Sequence, residues 1–157
     1  MNDNEAEAWR EKEIAATNYR SKLRDARERK GLTILEAAQL INSIGDYYDI
    51  EEHDRDFTGC YSLNEITKVC ETLGIHPRNL FCDKTADVIP LSQVIERIKA
   101  QCIEKKISIS EFESIAGWQI ENCISNPAIA LVDWNIDCLV DICRELNIDW
   151  RCVIAGL

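Results

Sequence analysis

The chain repeats itself, and this limits its architecture more than any other feature. "LRDARERKGLTILEAAQLIN", from Leu23, aligns with "IKAQCIEKKISISEFESIAG", from Ile98, at an offset of 75. Leu23 falls on Ile98, Lys30 on Lys105, Leu32 on Ile107, Thr33 on Ser108, Glu36 on Glu111 and Leu40 on Ile115. "SLNEITKVCETLGIHPRNLF", from Ser62, aligns with "NIDCLVDICRELNIDWRCVI", from Asn135, at an offset of 73. Here Leu63 falls on Ile136, Ile66 on Leu139, Val69 on Ile142, Cys70 on Cys143, Leu73 on Leu146 and Ile75 on Ile148. The change of offset leaves the second copy two residues shorter in its middle. Amphipathic helices share a 3.6-residue period, so apolar matches alone are weak support. Shared start signals are stronger. "TILE" (Thr33 to Glu36) and "SISE" (Ser108 to Glu111) both read as capping boxes, and "SLNE" (Ser62 to Glu65) is a third. In each, a hydroxyl takes an orphan backbone N–H and the Glu three residues on reaches back to the cap.

The pattern is helical throughout. Six Gly and three Pro in 157 residues suit helices better than a many-turned β fold. A leading helix is expected over about 5–29, interrupted near Thr17–Asn18. Helices are then expected near 33–42, 46–54, 62–73 and 77–82, and in the second copy near 91–105, 109–116, 118–125, 135–146 and 149–155. Only "ADVIPL" hints at a strand. The expected organisation is an acidic helical extension (1–18), a first unit (19–81), a linker closed by Pro90 (82–90) and a second unit (91–157).

Charge is distributed unevenly. The net charge is −10. Residues 21–32 sum to +3 and residues 33–60 to −6. In the basic stretch, Arg24 and Glu28, and Asp25 and Arg29, stand at i, i+4, the spacing of an ion-paired solvated face. The N-terminus is acidic and lacks an apolar h-region, and no apolar run approaches the ~18 residues that span a bilayer. A soluble, cytoplasmic protein without a membrane partner is expected. None of the eight cysteines forms a C-x-x-C pair, and several occupy apolar helix positions, so they read as buried reduced thiols. His53, Cys60 and His76 match no zinc spacing, so neither metal nor cofactor is expected. No G-x-S-x-G, P-loop, G-x-G-x-x-G or H-E-x-x-H motif occurs, and nothing argues for an enzyme. Trp118, Trp134 and Trp150 are expected in the core, and one of the adjacent Tyr47 and Tyr48 at the surface.

"LRDARERKGLTILEAAQLI…YYDIEE…SLNEITKVCETLGIHPRNLF" resembles the lambda-repressor/Cro-like helix-turn-helix family. Residues 23–81 carry the likeness well. Residues 94–155 carry it more loosely, through "ISISEFESIAGW" and "LVDICRELNIDWRCVI". The resemblance implies an all-α fold, two tandem helix-turn-helix bundles forming a pseudo-dimer. It also implies a third helix that enters the major groove and reads base edges. In the second copy the readers would be Gln119, Asn122 and Asn126, with Arg20, Lys22, Arg27 and Lys30 of the basic stretch as phosphate anchors. The family-level expectation is therefore a DNA-binding transcriptional regulator, with DNA as partner and a homodimer left open.

The third-helix positions depart from that pattern. In the first copy the third helix reads "DYYDIEEHD", and Asp46, Asp49, Glu51, Glu52 and Asp54 would face phosphates unfavourably. Tyr47, Ile50 and Glu51 also fit a core role there. In the second copy "WQIENCISN" offers amides without Arg or Lys. The alternative expectation is a protein-binding module on the same scaffold: an antitoxin or immunity protein, an adaptor or a DNA mimic. It would engage a basic partner through Tyr47, Tyr48, Asp49, Glu51, Glu52, Asp54 and Asp56.

Overall fold

Helix starts follow the caps written in the sequence. The structure, a computed structural model, describes residues 2–41, 47–53, 55–83 and 87–157. In chain order the helices are α1 (Asp3–Ala15), α2 (Tyr19–Arg29), α3 (Ile34–Ile41), α4 (Tyr47–Glu52), α5 (Asp56–Gly59), α6 (Leu63–Leu73) and α7 (Pro77–Phe81). They continue as α8 (Leu91–Lys105), α9 (Ile109–Ala116), α10 (Glu121–Ser125), α11 (Ala130–Asp133), α12 (Ile136–Glu145) and α13 (Trp150–Ile154), with a 3-10 turn at Pro127–Ile129. Among the described residues there is no strand, so the fold is all-α. All three expected capping boxes form. The Ser62, Ser108 and Thr33 hydroxyls accept from Glu65, Glu111 and Glu36 N–H at 3.2, 3.1 and 3.2 Å. The carboxylates accept back from the cap N–H groups at 2.8, 2.7 and 2.8 Å. A fourth box, Asn2 with Glu5, opens α1.

The expected break in the leading helix falls at Asn18, which sits in the left-handed region at φ 54°. Two short helices, α5 and α11, lie where no helix is expected, because four residues are too few to show a period. The helix expected over 118–125 begins only at Glu121. Gly117, at φ 78°, ends α9, and Trp118 to Ile120 form the turn.

Left-handed residues and buried positions recur at matched places in the two repeats. The left-handed C-cap of α6 is Gly74 (φ 68°), and its counterpart after α12 is Asn147 (φ 54°). Past α2 the left-handed residue is Gly31 (φ 69°), and past α8 it is Lys106 (φ 56°). Aligned apolar positions are buried alike: Leu23 with Ile98, Ala37 with Phe112, Leu63 with Ile136, Ile66 with Leu139, Val69 with Ile142 and Cys70 with Cys143. Leu40 and Ile115 are exceptions of one kind, both exposed. In the third helices, buried Tyr47 and Ile50 match buried Ile120 and Cys123 at the offset of 73. The change of offset therefore lies before α4, within 42–46 of the first copy, which is outside the described residues.

The halves close on one another reciprocally. α11, inserted before α12, packs on α6, and α5, inserted before α6, packs on α12; the equivalent helices α7 and α13 pack together. Leu63 N–H donates to Trp134 O at 2.8 Å, and Asn135 Nδ2 donates to Gly59 O. One core cluster contains residues of both halves; Tyr19 packs on Phe57 and Phe81 within the first, and Phe81 meets Trp150 edge-on across the seam. The segment expected as linker is tied to the second half, Ile89 N–H donating to Cys152 O at 3.0 Å.

Only glycine occupies the Gly74 conformation without cost, and a Cβ there would come within 3.0 Å of Lys30 Cε. Gly74→Ala is expected to destabilise the fold by ~1–2 kcal/mol, read as a lower urea midpoint at unchanged m. Asn147→Gly at the matched cap is expected to change it by no more than a few tenths.

Candidate functional site

The third helix of the first copy is held from inside by one ion pair. Glu51 on α4 is 2% exposed and Arg27 on α2 is 8% exposed. Arg27 Nε donates to Glu51 Oε1 at 2.6 Å and Nη2 to Oε2 at 3.1 Å, a two-pronged contact, while Nη1 donates to Leu32 O at 2.7 Å. Tyr47 is fully buried beside this pair. Burial first, and the Glu51 carboxylate second, push its phenol above the ordinary range. Tyr47, Glu51 and Arg27 are thus core residues. All three lie away from the surface where the sequence expectation placed them: Arg27 and Glu51 hold each other, and the Tyr47 hydroxyl is buried without a hydrogen-bond partner among the described residues.

Arg24, Lys22, Lys30 and Arg29 of the basic stretch also make contacts within the chain. Arg24 pairs with Glu52 and lies 3.6 Å from Glu51. Lys22 Nζ donates to Asp83 at 2.6 Å, and Lys30 Nζ donates to Thr72 O at 2.7 Å near the C-terminus of α6. Arg29 turns back to the Asp25 carbonyl. Arg20 lines a cavity beside α1. Of the expected acidic surface, Glu52 is exposed, Asp49 and Asp56 are partly so, and Asp49 lies 3.5 Å from His53 Nε2. Asp46, Asp54 and the side chain of Tyr48 lie outside the described residues.

In the second copy, Gln119 and Asn122 are exposed, on the turn before α10 and on α10 itself. Asn126 is exposed, but its Oδ1 accepts from Ala128 N–H and caps the 3-10 turn. The start of α10 is already occupied by a carboxylate. Glu113 Oε1 accepts from Ile120 N–H at 2.7 Å and Glu121 N–H at 2.8 Å. Residues 107–143 contain no Lys or Arg at all.

A second buried polar cluster, around α12, is one that the sequence did not reveal. Asp137 and Asp141, one turn apart on α12, are each 4% exposed. Arg10 of α1 pairs with Asp141 and lies 3.6 Å from Asp137. Arg55, in the left-handed region at φ 77°, reaches Asp137 at 3.1 Å and Glu7 and Glu11 of α1 at 2.6 and 2.8 Å. Trp118 Nε1 and Arg144 complete the shell of Asp141 at 2.9 and 3.1 Å, and Arg144 lies over Trp9. The adjoining cavity, about 340 Å³ between α1, α2, α5 and α12, has an apolar wall of Ile14 and Tyr19. Two carboxylates four apart in the apolar run "IDCLVDICRE" were the available sign that α12 buries charge.

All eight cysteines are free, and no group that could hold a metal occurs among the described residues. Burial pushes Cys70 and Cys143 up to about 12, Cys123 to about 11 and Cys138 well above its usual value. No helix of the described residues is long and apolar enough to cross a membrane.

Two predictions follow from these placements. Glu51→Ala leaves Arg27 buried without its partner and is expected to cost ~3–5 kcal/mol, against under ~1 kcal/mol for Glu52→Ala at the surface; chemical denaturation measures both. With a thiol reagent at pH 8, exposed Cys60 is expected to react first. Cys70, Cys138 and Cys143 are expected to react only at the rate of unfolding.

No family model, curated protein or solved structure matches the chain.

Proposed function

We propose that the chain is a protein-binding module built from two helix-turn-helix-like halves packed as a pseudo-dimer. The reciprocal packing of α5 on α12 and α11 on α6 supports the pseudo-dimer, since a two-fold interface brings each patch onto its equivalent's partner. The carrying observation is the state of the two third helices. One is anchored by the buried Arg27–Glu51 pair. The other has the Glu113 carboxylate at its start and lies in a 37-residue stretch, 107–143, without a cation. DNA affinity comes largely from Lys and Arg at phosphates. Here the expected phosphate anchors Lys22, Arg27 and Lys30 are bound within the chain. Asp49, Glu52 and Asp56 are at least partly exposed, and a basic protein partner there would compete with Arg24 for Glu52.

Exposed Gln119 and Asn122 favour a second reading, base recognition by the second copy. Titration into labelled genomic DNA fragments at low salt separates the two. The protein-binding reading expects no complex. A complex that weakens steeply with salt would establish the regulator reading instead. In parallel, an Arg/Lys-rich 20-residue peptide is expected to bind at low ionic strength and to lose about tenfold in affinity with Asp49→Asn, Glu52→Gln and Asp56→Asn combined. Unchanged binding would remove this surface from the proposal.

A further inference from the structure

The two halves share one backbone plan, so positions where they differ in chemistry are informative. In the first half the C-terminal end of α2, the start of α3 and the inner face of α4 are closed by Arg27, Glu28 and Glu51. The equivalent positions of the second half are Cys102, Ile103 and Ile124. Nothing charged closes that surface. It is an open groove of about 580 Å³, floored by Cys102, Ile107, Ile109 and Ile124, with Lys99 and Lys106 at its edges. Ile103, 79% exposed, stands in the groove wall. Ile103 is the most exposed of the large apolar side chains among the described residues, and it stands beside three partly buried isoleucines, Ile107, Ile109 and Ile124.

The cations are placed as deliberately. Residues 91–157 hold six Lys and Arg, and four are on α8 or its cap: Arg97, Lys99, Lys105 and Lys106. The other two, Arg144 and Arg151, are paired with Asp141 and Glu145 and with Glu13 and Asp149. Lys106 also holds the left-handed turn that glycine holds in the first half, at φ 56°. A lysine there is worse for the backbone than the glycine it matches.

We propose that this groove docks an acidic amphipathic helix of a partner protein. Its apolar stripe would lie on Ile103, Ile107, Ile109 and Ile124, with carboxylates on either side facing Lys99 and Lys106. This is the helix-in-groove mode, in which apolar anchors supply affinity and flanking charge supplies selection. Lys99 pairs with Glu96 at the surface, 2.8 Å apart, a kind of pair that exchanges partners at little cost. The long-range field of a chain at −10 opposes an acidic ligand, so the local lysines and the apolar floor must provide the attraction.

The test uses the full chain and two fluorescent 18-residue helical peptides. Both carry Leu at i, i+3, i+4 and i+7; one is flanked by Glu and the other by Lys. Fluorescence polarisation is expected to show binding of the Glu peptide over the Lys peptide. Ile103→Asp, at an exposed site that leaves the core intact, is expected to weaken it by about tenfold or more. Lys99→Glu with Lys106→Glu should reverse the preference between peptides. Lys106→Gly should raise the melting temperature yet weaken the Glu peptide, which a purely structural lysine would not do. The Asp49→Asn, Glu52→Gln, Asp56→Asn protein should bind as the parent does, so failure here is distinguishable from failure of the acidic surface. Equal binding of both peptides, binding indifferent to Ile103→Asp, or no binding of the Glu peptide would each overturn the proposal.

Discussion

Two buried carboxylates on α12 govern how the chain must assemble. Asp137 and Asp141 lie on the helix that packs against α1, α5, α9 and α13, and each is almost wholly removed from water. An ionised carboxylate buried alone is strongly unfavourable, so partners must arrive with the fold. They come from three places: Arg10 on α1, Arg55 before α5, and Arg144 with Trp118 from the second half. The acidic N-terminal helix, with a weak apolar face of its own, is therefore part of the folded unit by charge pairing. Arg55 accepts an unfavourable backbone conformation because Glu7, Glu11 and Asp137 all hold its guanidinium. Asp137 Oδ1 and Arg10 Nε remain buried without a hydrogen-bond partner beside the cavity, a site of the size and polarity to hold water.

Much of the fold was legible because its signals are local. Capping boxes at Thr33, Ser62 and Ser108 act within a few residues, so they mark helix starts wherever the chain goes. The repeat was legible for the same reason: its apolar positions keep their period. What sequence could not supply was the fate of individual charges. Arg27 reads as one more residue on a basic helix face, and Glu51 as one more acid in "DYYDIEEHD". Only the approach of α2 to α4 makes them a buried pair, across 24 residues of chain. Arg10 and Asp141 meet across 131 residues, which no short-range pattern encodes.

The placement of charge also explains why a net of −10 does not make this molecule uniformly acidic in its chemistry. In the first half cations are spent on structure: Arg27 inside, Arg24 and Lys22 at the surface of α2, Lys30 on the end of α6. In the second half four of the six lie on α8 or its cap. A duplicated scaffold permits this division. Once one half secures its third helix by an ion pair, the other can secure its own by packing Ile120 and Cys123 and leave the equivalent groove apolar.

That division bears on what the ion pair contributes. Replacing a buried pair by apolar groups of similar size is often neutral or stabilising, so the Arg27–Glu51 pair is a weak source of stability. Its effect here is one of exclusion. A guanidinium and a carboxylate in the first half leave no apolar floor for a partner helix, whereas Cys102 and Ile124 in the second half provide one. Matched positions of the two repeats thus present surfaces of different kind, one closed by an ion pair and one apolar.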